Sequence, residues 1–387
     1  MRFSVAKDTP YLMQFNINLQ AFIALLRAGL WEREVQLSQY KGIDYDKILI
    51  SADEQSVVGL VTAGLDKVVD VKVPQAEVLQ FVGSSIQVEQ QNTALNQFVA
   101  DLIDKLRDAD IYAILVKGQG VAQCYERPLW RSLGDVDLLL SGENYLKANE
   151  LLSSIAFSVE EENQYNQHIA MNIDGWSVEL HGTLRGGLWG RIDKLLDKIQ
   201  ESIFYGGSVR LWMNGDTQVF LPAPDEDVIF VFSHILQHFY KEGIGLRQIC
   251  DWCRLLWTYK DSVNHGLLES RIREMGVMTE WKAFAALAVD YLGMPVEAMP
   301  FYSDNKKWKR KAVRVMEFVL ETGNFGHNRD YSYQKKYPYI IYKAISFRKH
   351  LKDGAFFFSI FPLDSIKVTL RRMVVGVSVV LQGKKHE

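Results

Sequence analysis

The chain has 387 residues, 44 Lys plus Arg against 47 Asp plus Glu, and 48% hydrophobic residues, so it is long and apolar enough to bury a sizeable core. Nine prolines and 12% aromatics exclude collagen-like, linker and disordered classes. Three cysteines, Cys124, Cys250 and Cys253, are too few for a disulfide framework and point to a reducing compartment, with the cytoplasm as the expected address.

The first ten residues lack the apolar run of a signal peptide, and the stretch 19–30 is broken by Gln20 and Arg27, so no spanning helix is expected. The net charge of −3 conceals an asymmetry: residues 331–387 sum to +8 and the rest to −11. An acidic body disfavours extended nucleic acid as a partner.

From Asn16 to about Val82 apolar residues recur at spacings of three and four, as in Phe22, Ile23, Leu25, Leu26 and Leu30, which predicts helices. A further helix is expected over 93–107, with Leu95, Val99, Leu102, Ile103 and Leu106 on one stripe. The pattern then changes. Residues 112–117 and 136–140 are short, β-rich and bounded by glycine or polar residues, as buried strands are, with a turn and short helix between them. Residues 167–173 and 176–181 flank Asp174-Gly175, and 209–213 and 216–220 flank Asn214-Gly215, so each pair predicts a hairpin. After Pro222 and Pro224 a helix starts at 225–227, and helical periodicity continues to at least Phe318. The expected fold is α+β: a small mixed-sheet core, 96–222, flanked by helical regions at 1–95 and 223–387.

Asp135 and Asp137 stand two apart at the start of an apolar strand, which points both carboxylates the same way. Two such groups repel unless a cation lies between them, and oxygen-only ligands suit Mg²⁺ or Mn²⁺. Glu179 interrupts a second strand that otherwise reads as buried, supplying a third acid for a metal site. Upstream, Lys117-Gly118-Gln119-Gly120 ends a strand with glycines that let backbone N–H groups approach a phosphate, beside a lysine. It is not a Walker loop.

Lys117-Gly118, Arg131, the run Gly134-Asp-Val-Asp-Leu-Leu139 and the run Val178-Glu-Leu-His181 resemble the polymerase-β-type nucleotidyltransferase superfamily, specifically its bacterial uncharacterised branch. Gly245-Leu-Arg-Gln-Ile-Cys-Asp251 and Leu25-Leu-Arg-Ala-Gly-Leu-Trp31 resemble that branch too. The resemblance spans about residues 15–330. It implies a nucleoside triphosphate, expected to be ATP, bound with Mg²⁺ or Mn²⁺ on Asp135, Asp137 and Glu179. Transfer of its monophosphate to an unidentified acceptor would follow, with Glu179 a metal ligand or the proton acceptor. Nucleotide binding is expected of Lys117, Gly118, Gln119 and Arg131, and the acceptor or cleft wall of His181, His234, His238 and Arg247. The superfamily's Gly-Ser or Gly-Gly turn is replaced by Gly118-Gln119. An inactive nucleotide-binding or interaction module is the alternative.

Zinc chemistry fits less well. His234 and His238 are four apart, but no Glu follows His234, and Cys250 and Cys253 fall on the apolar stripe of Leu246, Ile249, Leu256 and Trp257. The two histidines share a flank with Asp227 and Lys241 that is either a solvated surface or a wall of the cleft. Arg247, Asp251 and Arg254 are spaced to pair with one another. In the basic end, the apolar runs 356–361 and 374–380 are too short to span a bilayer, and packing onto the helical region is expected in preference to peripheral membrane contact.

Overall fold

The computed structural model describes residues 16–329, 336 and 339–369. The chain opens with α1 (Ile17–Trp31), α2 (Tyr45–Glu54) and α3 (Val58–Leu65). Asn16 caps α1 by accepting from the Leu19 N–H at 3.0 Å. Helices α1 and α3 pack backbone to backbone. A Cβ on Gly29 would fall 1.8 Å from the Leu60 carbonyl oxygen, and one on Gly64 would fall 2.0 Å from that of Leu25.

The expected helix over 93–107 is the C-terminal half of a longer one, α4 (Gln75–Asp108). Its N-terminal half carries buried polar residues where an apolar stripe would stand. Ser85 Oγ donates to Thr62 Oγ1 at 2.7 Å, and Asn92 Nδ2 donates to the carbonyls of Leu129 and Arg131, both at 2.8 Å. Polar groups bonded in this way can be buried, but they leave no hydrophobic periodicity to read.

Strand β1 (Ala113–Val116), the short α5 (Gly118–Ala122), β2 (Val136–Leu140), α6 (Gly142–Ser153), β3 (Ser158–Val159), β4 (His168–Ile173), β5 (Trp176–His181), α7 (Gly190–Tyr205), β6 (Val209–Asn214) and β7 (Thr217–Pro222) follow. They build a seven-stranded mixed sheet in the order β3-β4-β5-β2-β1-β7-β6. Strand β1 runs antiparallel to β2 and parallel to β7, and β2 runs parallel to β5. Both predicted hairpins form. In β4-β5, Asp174 and Gly175 have φ of 52° and 86°, the pattern of a type I′ turn. In β6-β7 the two-residue loop is Gly215-Asp216, one residue later than expected, because Asn214 pairs with Thr217 and Gly215 alone takes a positive φ of 61°.

Residue alternation splits the sheet into two faces. Leu115, Val136, Leu138, Val178 and Leu180 pack under α4 and α6. The opposite face carries Ile114, Val116 and Leu139 and belongs to the larger helical core. That core is built by α8 (Pro224–Lys241), α9 (Leu246–Thr258), α10 (His265–Met275), α11 (Met278–Asp290) and α12 (Lys306–Thr322), with α1 and α7. Helix α8 starts on Pro224 with Asp225, Glu226 and Asp227 in its first turn, which suits the positive end of the helix dipole. The α+β class expected from the sequence is the observed one.

Helix α13 (Tyr339–Ile360) brings the Phe356–Phe361 run onto this core. The Phe357 ring lies 5.0 Å from Phe239 and 5.1 Å from Phe318. The run 374–380 lies outside the described residues. Among the described residues, no helix is long and apolar enough to cross a membrane.

Candidate functional site

The parallel register of β2 and β5 sets Val136 beside Val178 and Asp137 beside Glu179. Because Val136 and Val178 are buried under α4 and α6, the two acids stand on the other face, toward α8 and α9. Asp135 precedes β2 by one residue and shares their side. All three line one cavity of about 100 Å³.

The β1-α5 turn delivers Lys117 to the same place. Lys117 has φ 59° and ψ −146°, a region that only glycine occupies without strain, and Gly118 follows at φ 40°. The Lys117 ammonium lies 2.6 Å from Asp137 Oδ1, and His181 Nε2 reaches the same oxygen at 2.9 Å. His181 Nε2 is also 3.4 Å from Glu179 Oε2, which His168 Nε2 approaches at 3.1 Å.

These contacts separate the acids electrostatically. Burial works to raise the Glu179 carboxyl, but hydrogen bonds from His168 and His181 outweigh it and hold Glu179 well below the usual carboxylate range. Asp135 moves the other way, raised by burial and by the neighbouring Glu179 and Asp137 charges. Burial would lower the His181 imidazole, yet its bonds to Asp137 and Glu179 raise it.

Two helices border the cavity opposite the sheet. From α8, Val231, His234 and Ile235 reach the cavity, and from α9, Arg247, Gln248 and Asp251. Burial, then the Lys117 and His238 charges, keep His234 well below its ordinary value and therefore neutral. His238 does not line the cavity. Its Nδ1 lies 3.1 Å from Glu242 Oε2 and its ring packs on Phe325.

Four further sequence assignments change. Gln119 turns away from the cavity and donates to Asn96 Oδ1 at 2.6 Å, so its side chain belongs to the α4 interface. Arg131 lines the cavity, but both ends of its fork bind Asp251 at 2.8 Å, which balances its charge locally. His181 is not in the cavity wall but is bonded to the acids themselves. Arg247, Asp251 and Arg254 do not pair with one another. Arg247 donates to the carbonyls of Ser132 and Leu133, Asp251 takes Arg131 and the Tyr125 hydroxyl, and Arg254 binds Glu126 and the Cys124 carbonyl. Helix α9 is buried on nearly every side, so these side chains bond to other elements, Arg131 to Asp251 and Glu126 to Arg254 as ion pairs and Arg247 to carbonyls alone. Cys250 and Cys253 are buried in the core, where burial pushes both thiols up.

Two further residues shape the site, His168 and Phe325. His168 was legible: a two-residue loop at 174–175 pairs residue 173 with 176, and counting back sets His168 opposite His181. Phe325, from the segment after α12, had no local signal.

The donor set fits a divalent cation. Three carboxylates from adjacent strands face one cavity, and Asp135 is raised by burial and then by the charges of Glu179 and Asp137. His168, Glu179 and His181 also place one donor atom each within 4.8 Å of one another, so two possible ligand sets overlap at Glu179.

The mixed sheet brings acids from neighbouring strands beside a glycine turn, and two helices border the same cavity. The chain belongs to the uncharacterised nucleotidyltransferase family, whose model matches residues 41–293. That span contains the sheet, α8 and α9, and ends before Phe325. No curated protein and no solved structure matches the chain.

Proposed function

We propose that this protein transfers a nucleoside monophosphate, from ATP, to an acceptor hydroxyl or other nucleophile and releases pyrophosphate. The observation that carries this reading is the register of Asp137 with Glu179, which unites three acids beside Lys117 in one cavity. An acceptor oxygen forms a bond to the α-phosphorus as the bond to the β-phosphate bridging oxygen breaks, and the acceptor proton passes to a carboxylate.

Asp135, Asp137 and Glu179 would hold Mg²⁺ or Mn²⁺. When bound, that ion supplies charge for the attacking and leaving oxygens. The chain's own groups do the rest. His168 and His181 keep Glu179 ionised and oriented, Lys117 offers its ammonium to a phosphate once Asp137 has another cation to face, and Asp135 is the carboxyl best placed to take a proton. Helices α8 and α9 close off one side, which limits water as a competing acceptor.

Pyrophosphate release from ATP, with Mg²⁺ or Mn²⁺ and a panel of hydroxyl and amine acceptors, tests the reading. Release by the native chain that Asp137→Asn abolishes supports it. Nucleotide binding without release under any metal would leave an inactive binding module, the reading that the direct Lys117–Asp137 bond favours.

A further inference from the structure

Arg247 presents an unusual charge. It is 7% exposed, and among the described residues no carboxylate pairs with it. One end of its guanidinium donates to the carbonyls of Ser132 and Leu133, while its buried Nε has no partner. Of the two acids that act on it, Asp251 is already held by Arg131 and Tyr125, and Asp135 belongs to the acidic cluster at the sheet. Burial, reinforced by the Arg131 charge, pulls Arg247 down to about 10. A desolvated cation facing a cavity and lacking a counter-charge is arranged for an anion.

Beside it stands Phe325. Its backbone is left-handed, φ 50° and ψ 31°, a conformation that bulky side chains rarely adopt. The segment is fastened there: Asn324 accepts from Gln248 Nε2 at 2.7 Å and donates to Ser56 Oγ at 2.8 Å. The outcome is a residue 40% exposed at the cavity, with the Arg247 guanidinium 5.7 Å from its ring centroid. Core packing does not call for a strained backbone that leaves an aromatic side chain partly exposed at a cavity, whereas a stacking surface does.

We propose that Arg247 and Phe325 form the nucleotide-recognition end of the cavity, the guanidinium binding the polyphosphate and the Phe325 ring stacking on the base. This rests on the nucleotide being the substrate, as above, and moves Arg247 from the acceptor wall to the phosphates. The cavity is then polarised, with acids for a cation at the sheet and an uncompensated cation at α9, which complements a metal–polyphosphate. Stacking tolerates any base, so the subsite admits purine and pyrimidine triphosphates alike.

The test is calorimetric titration of the full chain with MgATP and with magnesium tripolyphosphate, which lacks a base. Phe325→Leu should weaken MgATP about tenfold and leave tripolyphosphate unchanged, and Phe325→Trp should restore MgATP. Arg247→Gln should weaken both ligands about tenfold or more. Unchanged MgATP affinity in Phe325→Leu, parallel loss of tripolyphosphate in that variant, failure of Phe325→Trp to restore binding, or a native chain that binds neither ligand would overturn the subsite. MgATP binding with the expected variant pattern but no pyrophosphate release would instead remove the transfer reading and leave the subsite standing.

Discussion

Lys117 Nζ and Asp137 Oδ1 are 2.6 Å apart, on adjacent strands' ends, with Asp137 buried and Lys117 nearly so. The acid at the centre of the site is thus held by an ammonium and by His181 before any ligand arrives. A neutral side chain at this position would remove the carboxylate that Lys117 and His181 share, leaving Glu179 as the acid bonded to His181. Asp137→Asn should therefore abolish pyrophosphate release, by at least about 100-fold, and also lower stability by about 1–3 kcal/mol. Thermal melts and a release assay check both. A variant more stable than the native chain would show that repulsion among the acids outweighs these bonds.

The Lys117 backbone gives a second test. Its φ of 59° with ψ −146° suits glycine, so Lys117→Gly and Lys117→Ala lose the same ammonium but differ in strain. Lys117→Gly is expected to be the more stable by about 1 kcal/mol, with activity low in both. Chemical denaturation of the pair measures the difference directly.

The two histidines of α8 should separate. His234 lines the cavity and is held neutral, whereas His238 bonds to Glu242 outside it. His234→Ala should reduce turnover by about tenfold or more, and His238→Ala by no more than about threefold. Equal losses in parallel kinetics would show that the cavity wall extends past Phe325 to His238.

A pH effect on stability arises far from the site. Glu280 on α11 is fully buried, accepts from the Tyr240 hydroxyl at 3.0 Å, and is pushed up to about 8 by burial and by the Asp364 charge. The folded chain then holds that proton more tightly than the unfolded chain, whose value is near 4.5. Its contribution is complete below about pH 4.5 and is lost as pH rises through about 8. Glu280→Gln, which mimics the protonated group, should be more stable than the native chain at pH 8 by about 2–4 kcal/mol and should lose that advantage toward pH 4.5. Melting temperatures across this range would contradict the assignment if the two proteins ran parallel.

The sequence by itself determined what rests on local periodicity. Period-two alternation placed Asp135 and Asp137 on one face, the Asp174-Gly175 turn set the β4-β5 register, and the stripe of α9 put Cys250 and Cys253 in the core. The same turn held the His168–His181 pairing, since a two-residue loop leaves the register no freedom. Tertiary structure decided the partners. An amphipathic pattern says which face of a helix is buried but not against what, so the pairing of Arg131 with Asp251, 120 residues away, the turning of Gln119 onto Asn96 and the bare charge of Arg247 emerge only when α9 docks on the sheet. Half of α4 was hidden for a related reason, because Ser85 and Asn92 are buried through hydrogen bonds to distant groups that no local pattern encodes. Phe325 is the extreme case: its position depends on Asn324 reaching Ser56 across 268 residues of chain, and its meaning depends on the cavity it borders.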